Sequence, residues 1–99
     1  MANNNQISNT SYYALPCGRQ LEDFISWKQL DFFEGSALKY LFRAGMKDGE
    51  PIQKDMRKMH HYCEFIAREK DCATEDVVEY IEALEREAKS WDGTNAAEA

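Results

Sequence analysis

Pro51-Ile52-Gln53-Lys54-Asp55-Met56-Arg57-Lys58-Met59-His60-His61-Tyr62-Cys63-Glu64-Phe65-Ile66-Ala67-Arg68-Glu69-Lys70 is the stretch that decides the fold. Ile52, Met56, Met59, Cys63 and Ile66 recur at alternating steps of four and three, so on a helix they form one apolar seam flanked by charge. Pro51 suits the first helical position, where its missing N–H costs no hydrogen bond. The spacing predicts a helix over 51–70, with most of its seam core.

Outward from that segment the same period recurs. Val77, Ile81, Leu84, Ala88 and Trp91 repeat it, while Glu79, Glu82, Glu85 and Glu87 lie off the stripe. Thr74, followed by Glu75 and Asp76, reads as an N-cap with acids in the first turn, where the helix dipole favours negative charge. So narrow a stripe suits a helix packed against one neighbour or against another subunit, and a domain this small gains much from self-association. Before the central segment, Leu21, Phe24, Ile25 and Lys28 mark a short helix over 19–27, and a further helix is expected over 33–44, ended by Gly45. Leu30, Phe32 and Phe33 are too apolar for an idle linker and are expected to pack into the core.

The expectation is an all-α fold, a small bundle of about four helices that is homo-oligomeric. Asn-rich residues 1–11 read as a mobile start, 12–92 as one helical domain and 93–99 as a mobile tail. A length of 99 residues, 43% hydrophobic and 30% charged, excludes two domains and excludes collagen-like or wholly disordered classes. No apolar run reaches the roughly 18–20 residues of a membrane helix, and no signal-peptide pattern opens the chain, so neither a membrane nor an export route is expected. Cys17, Cys63 and Cys72 are odd in number without a Cys-x-x-Cys pair, and His60 and His61 are adjacent, so the sequence encodes no disulfide framework and no structural zinc site.

Charge is unevenly spread within a formal net of −6. Lys39, Arg43, Lys47, Lys54, Arg57 and Lys58 outnumber Asp48, Glu50 and Asp55 in the middle of the chain, and the last third is strongly acidic. An acidic chain with a modest basic block does not suit duplex DNA, whose long polyanion would be repelled. A small anion such as a nucleotide is compatible. Lys39 and Arg43 stand one helical turn apart, Lys47 can fold back beside them from the following loop, and Lys54, Arg57, Lys58 and His61 share one side of the next helix. Arg grips two phosphate oxygens at once and Lys acts as a point charge. Tyr12, Tyr13 and Tyr40 can offer ring faces to a base. Glu75, Asp76, Glu79 and Glu82 read as a solvated acidic face; no second carboxylate pair on another helix is evident to make it the Mg²⁺-holding helix of an all-α nucleotide pyrophosphohydrolase.

Gly35-Ser36-Ala37-Leu38-Lys39-Tyr40-Leu41-Phe42-Arg43-Ala44-Gly45-Met46-Lys47, with Lys54-Asp55-Met56-Arg57-Lys58 and Tyr62 after it, resembles the SaV-like family of small phage proteins over residues 11–68. That family carries Gly-Asn-x-x-Lys-Tyr-x-x-Arg-Ala-Gly-x-Lys ahead of an Asp-Leu-x-Lys-Ala helix. The same domain is similar to the C-terminal half of a short-tailed coliphage nucleoside monophosphate kinase. The resemblance points to Lys39, Tyr40, Arg43, Lys47, Asp55 and Lys58 as site residues, and to the cytoplasm of an infected bacterial host. Ser36 stands where the family has Asn, Tyr12-Tyr13 where many members have His-Tyr, and nothing here matches the kinase's Cys-rich half.

Three functions follow as expectations. The first is a phage protein that binds phosphate-bearing nucleotides through Lys39, Arg43, Lys47 and Lys58, without a cofactor, and sequesters a nucleotide immune signal of the cyclic oligonucleotide or cyclic ADP-ribose type. The second is a nucleoside monophosphate kinase, which requires Mg²⁺, with Asp55 as its possible ligand beside Asp48 and Glu50. No Gly-x-x-x-x-Gly-Lys-[Ser/Thr] phosphate cradle accompanies it. The third is a protein that binds a host factor and no nucleotide.

Overall fold

A computed structural model describes residues 13–44, 46 and 51–94. The expected mobile start, Tyr12, Gly45, Lys47, Asp48, Glu50 and the last five residues of the tail lie outside these. The described chain is all-helical, with α1 at Leu21–Lys28, α2 at Phe32–Arg43, α3 at Ile52–Lys70 and α4 at Thr74–Ser90, and among the described residues there is no strand. A single antiparallel bridge pairs Ala14 with Gln20. It closes a turn in which Gly18 takes φ +96°, a conformation that costs a residue with a side chain, and in which the Leu15 N–H donates to the Arg19 carbonyl at 2.8 Å. The turn buries Leu15.

Helix ends follow local chemistry, with two departures from the expected positions. Asp31 and Glu34 form a reciprocal capping box, the Glu34 N–H donating to Asp31 Oδ1 at 2.8 Å and the Asp31 N–H to Glu34 Oε1 at 3.0 Å, which starts α2 at Phe32. Asp71 ends α3 at φ 56°. Thr74 is not the cap of α4: Ala73 takes that place with no side-chain hydrogen bond, and Thr74 is the first helical residue. Pro51 likewise sits just outside α3, as its cap, with Ile52 the first helical residue.

The core draws on every helix. Leu21 and Phe24 of α1, Ala37 and Leu38 of α2, Met59, Cys63 and Ile66 of α3, and Val77, Ile81, Leu84 and Ala88 of α4 are all buried, with Trp91 closing one end against Phe24 and Trp27. The α4 stripe is thus met by the chain's own helices. Its breadth matches one neighbouring surface, and that surface is supplied by the same chain. Gly35 allows a close approach of α1 to α2, since a Cβ there would stand 3.3 Å from Ile25 Cγ2.

One apolar expectation fails at the edge of the core, and one seam residue lies outside it. Phe32 is 70% exposed and Phe33 37%, because the capping box sets the phase of α2 and directs Ala37 and Leu38 inward, leaving the two rings on the flank. They join Tyr62 and Phe65 of α3 in a surface ring cluster, Phe33 stacking on Phe65 at 5.4 Å. Ile52 is 56% exposed because the seam begins to be covered only where α2 lies over α3, from Met56 onward.

Candidate anion-binding site

Helices α2 and α3 position the basic residues. On α2, Ser36, Lys39, Tyr40 and Arg43 follow the i, i+3, i+4, i+7 spacing of one face. On α3, Asp55, Lys58 and Tyr62 do the same. Where the two faces meet, the Tyr40 and Tyr62 rings stack with centroids 5.9 Å apart and planes 16° from parallel.

A cleft of about 240 Å³ opens beside this pair, lined by Tyr13, Phe32, Ser36, Lys39, Tyr40, Arg43 and Tyr62. Lys39 and Arg43 both border it, so the cations expected to act together share one opening. Lys39 Nζ lies 5.3 Å from the Tyr13 ring centroid, and the Arg43 guanidinium carbon 5.7 Å from that of Tyr40. A second opening, about 570 Å³, is lined by Tyr40, Lys54, Arg57, Lys58, His61 and Tyr62. Lys58 Nζ stands 5.3 Å from the Tyr40 centroid. Among the described residues, no carboxylate lines either opening.

The acid that bears on the first cleft lies behind it. Asp55 is 1% exposed, and its Oδ1 lies 3.5 Å from Arg43 Nε. Neither of those two atoms makes a hydrogen bond, so the attraction between them is one of charge. Burial by itself would lower the Arg43 pKa, but a hydrogen bond to the Tyr13 hydroxyl, the Asp55 charge and the nearby Tyr13 and Tyr40 outweigh it and raise the pKa above its ordinary value. Arg43 is therefore a fixed cation, anchored from below by Asp55 and from the side by Tyr13.

Asp55 does not fit the Mg²⁺ role implied by a kinase. Its carboxylate faces a guanidinium, and a metal placed there would be repelled by Arg43. Among the described residues no three His, Cys, Asp or Glu side chains converge as a metal site. Asp76 of the acidic α4 face lines a separate groove with Glu34, Lys70 and Tyr80. There the Tyr80 hydroxyl donates to Glu34 Oε2 at 3.0 Å, and burial together with that carboxylate pushes its pKa up to about 12. His60 and His61 are exposed beside Glu64, and His61 also stands against the Tyr62 and Phe65 rings.

Of the residues singled out from sequence, the structure brings Tyr13, Lys39, Tyr40 and Arg43 into one cleft and Lys54, Arg57, Lys58 and His61 into its neighbour. Sequence reasoning overlooked Tyr62, Ser36 and Phe32 as lining groups. Tyr62 was within reach, since it lies four residues beyond Lys58 and seven beyond Asp55 on the same helical face. The pairing of Arg43 with Asp55, residues on different helices, left no signal in spacing.

No family model matches the chain, and neither a curated protein nor a solved structure does.

Proposed function

We propose that this protein binds a phosphate-bearing nucleotide, with the phosphate held by Lys39 and Arg43 and the base against the tyrosine rings. The observation that supports it is a single opening bordered by two cations one turn apart and walled by Tyr13, Tyr40 and Tyr62. Arg43 arrives pre-oriented, because Asp55 and Tyr13 hold its guanidinium before any ligand does, and a preorganised donor loses less entropy on binding. Lys58, 5.3 Å from the Tyr40 centroid, adds charge from the neighbouring opening, and Lys47 belongs to the same proposal. The commitment of Asp55 to Arg43 favours holding the ligand over transferring a phosphoryl group. In an infected bacterial cell such a protein would sequester a nucleotide signal. Self-association belongs to this reading as well, and its apolar surface would be the exposed Phe32 and Phe33, the α4 stripe being internal; light scattering of F32E beside the native chain tests it.

The test is thermal unfolding against nucleoside mono-, di- and triphosphates and cyclic dinucleotides, with and without Mg²⁺, followed by chromatography of the recovered ligand. Binding at ligand about 100-fold above Kd adds roughly 2.7 kcal/mol of stability and a clear rise in Tm. Recovery of the ligand unchanged supports sequestration. Conversion with a phosphate donor would establish a kinase instead, and no shift with any ligand would overturn the proposal.

A further inference from the structure

The two openings share Tyr40 and Tyr62 and no other residue, so the stacked pair is the partition between them. Each side of the partition carries its own cations, Lys39 and Arg43 on one hand and Arg57 and Lys58 on the other, and among the described residues no carboxylate lines either. The guanidinium carbon of Arg43 and the ammonium of Lys58 both lie within 5.7 Å of the Tyr40 centroid, one belonging to each opening. A ligand with one phosphate neutralises one group of cations and leaves the other facing solvent. Two adjacent phosphates joined by a bridging oxygen are too close together to reach around a pair of stacked rings.

Resting on the nucleotide reading above, we propose that the ligand carries two separated phosphate groups, one in each opening, with its sugar and base lying across the Tyr40–Tyr62 partition. The chemical class is a nucleoside 3′,5′-bisphosphate or a dinucleotide. The partition itself selects this class, because it sets a minimum separation between the anions while presenting aromatic edges to whatever links them. The first opening, about 240 Å³, is smaller than the roughly 300–1,000 Å³ of ordinary small-molecule pockets, whereas the second, about 570 Å³, falls within that range, so a whole nucleotide with a phosphate in the smaller opening must extend into the larger.

Calorimetric titration of the intact chain decides it, using for each of the four bases the nucleoside 5′-monophosphate, the 5′-diphosphate, the 3′,5′-bisphosphate and the 5′-phosphorylated linear dinucleotide. The diphosphate controls for total charge, since its phosphates are adjacent. For at least one base, a separated two-phosphate ligand should bind at least tenfold more tightly than both the monophosphate and the diphosphate. In R57A that ratio should collapse toward one, whereas in K39A all affinities should fall with the ratio kept; circular dichroism confirms that both variants are folded. If the diphosphate matches the separated ligands, or R57A keeps the ratio, the two-phosphate inference is overturned while nucleotide binding stands. If no member of any series binds, the nucleotide reading itself fails.

Discussion

Arg43 Nε on α2 and Asp55 Oδ1 on α3 stand 3.5 Å apart, the carboxylate almost wholly buried and the guanidinium open on one side to the basic cleft. This pair couples the site to the fold. The charge pair joins the last turn of one helix to the first turn of the next, and Lys39 and Lys58 stand on either helix around Tyr40.

Removing either member should therefore be costly. Arg43→Ala leaves a buried carboxylate unpaired, and such losses run to about 3–5 kcal/mol. Urea unfolding should show R43A strongly destabilised, with D55N affected less because Arg43 keeps the Tyr13 oxygen and partial access to water. A stability of R43A within 1 kcal/mol of the native chain, about the size of an exposed ion pair, would show that the pair is mere surface decoration. The same reasoning makes Lys39→Ala, not Arg43→Ala, the cleaner probe of binding.

The core substitutions Leu38→Ala and Ile81→Ala remove side chains that are fully buried between α2, α3 and α4. Each should cost about 2–5 kcal/mol, the range for large-to-small changes in a close-packed interior. Denaturant midpoints at unchanged m-value would check this.

Lys28 Nζ and Glu87 Oε2 form a 2.6 Å ion pair between α1 and α4, but both side chains are more than a third exposed. Lys28→Ala should change stability by no more than about 1 kcal/mol, as is usual for surface pairs, and less at high salt. Trp91→Ala, at the same end of the molecule, should cost about 3–5 kcal/mol through the lost packing on Phe24 and Trp27.

Alkaline pH should weaken the fold. Burial, with smaller contributions from Glu64 and Glu82, pushes the Cys63 thiol up to about 11 from an ordinary 9.0, and Tyr80 is raised in the same sense. A raised folded-state pKa means the native form holds its proton more tightly, so the stability is fully present below pH 9 and is lost as pH rises toward 11 and beyond. Thermal melts from pH 8 to 11 should show this decline, and Cys63→Ala should delay its onset to above pH 10.0, the ordinary tyrosine value, where the contribution of Tyr80 begins to be lost.

Sequence by itself determined the four helices, their order and most of the core, because helical periodicity is local: Met59, Cys63 and Ile66, or Val77, Ile81 and Leu84, declare a buried face without reference to anything distant. It also assembled half of the site, since Lys39, Tyr40 and Arg43 share one turn-to-turn face. Phe32 and Phe33 read as core by composition, but the Asp31–Glu34 capping box, itself a local contact, fixes the phase that turns them out. Tertiary structure alone decided that Asp55 serves Arg43 and that Tyr62 stacks on Tyr40. Those contacts join residues twelve and twenty-two positions apart on different helices, and the packing angle of α2 on α3, which no local spacing encodes, brings them together.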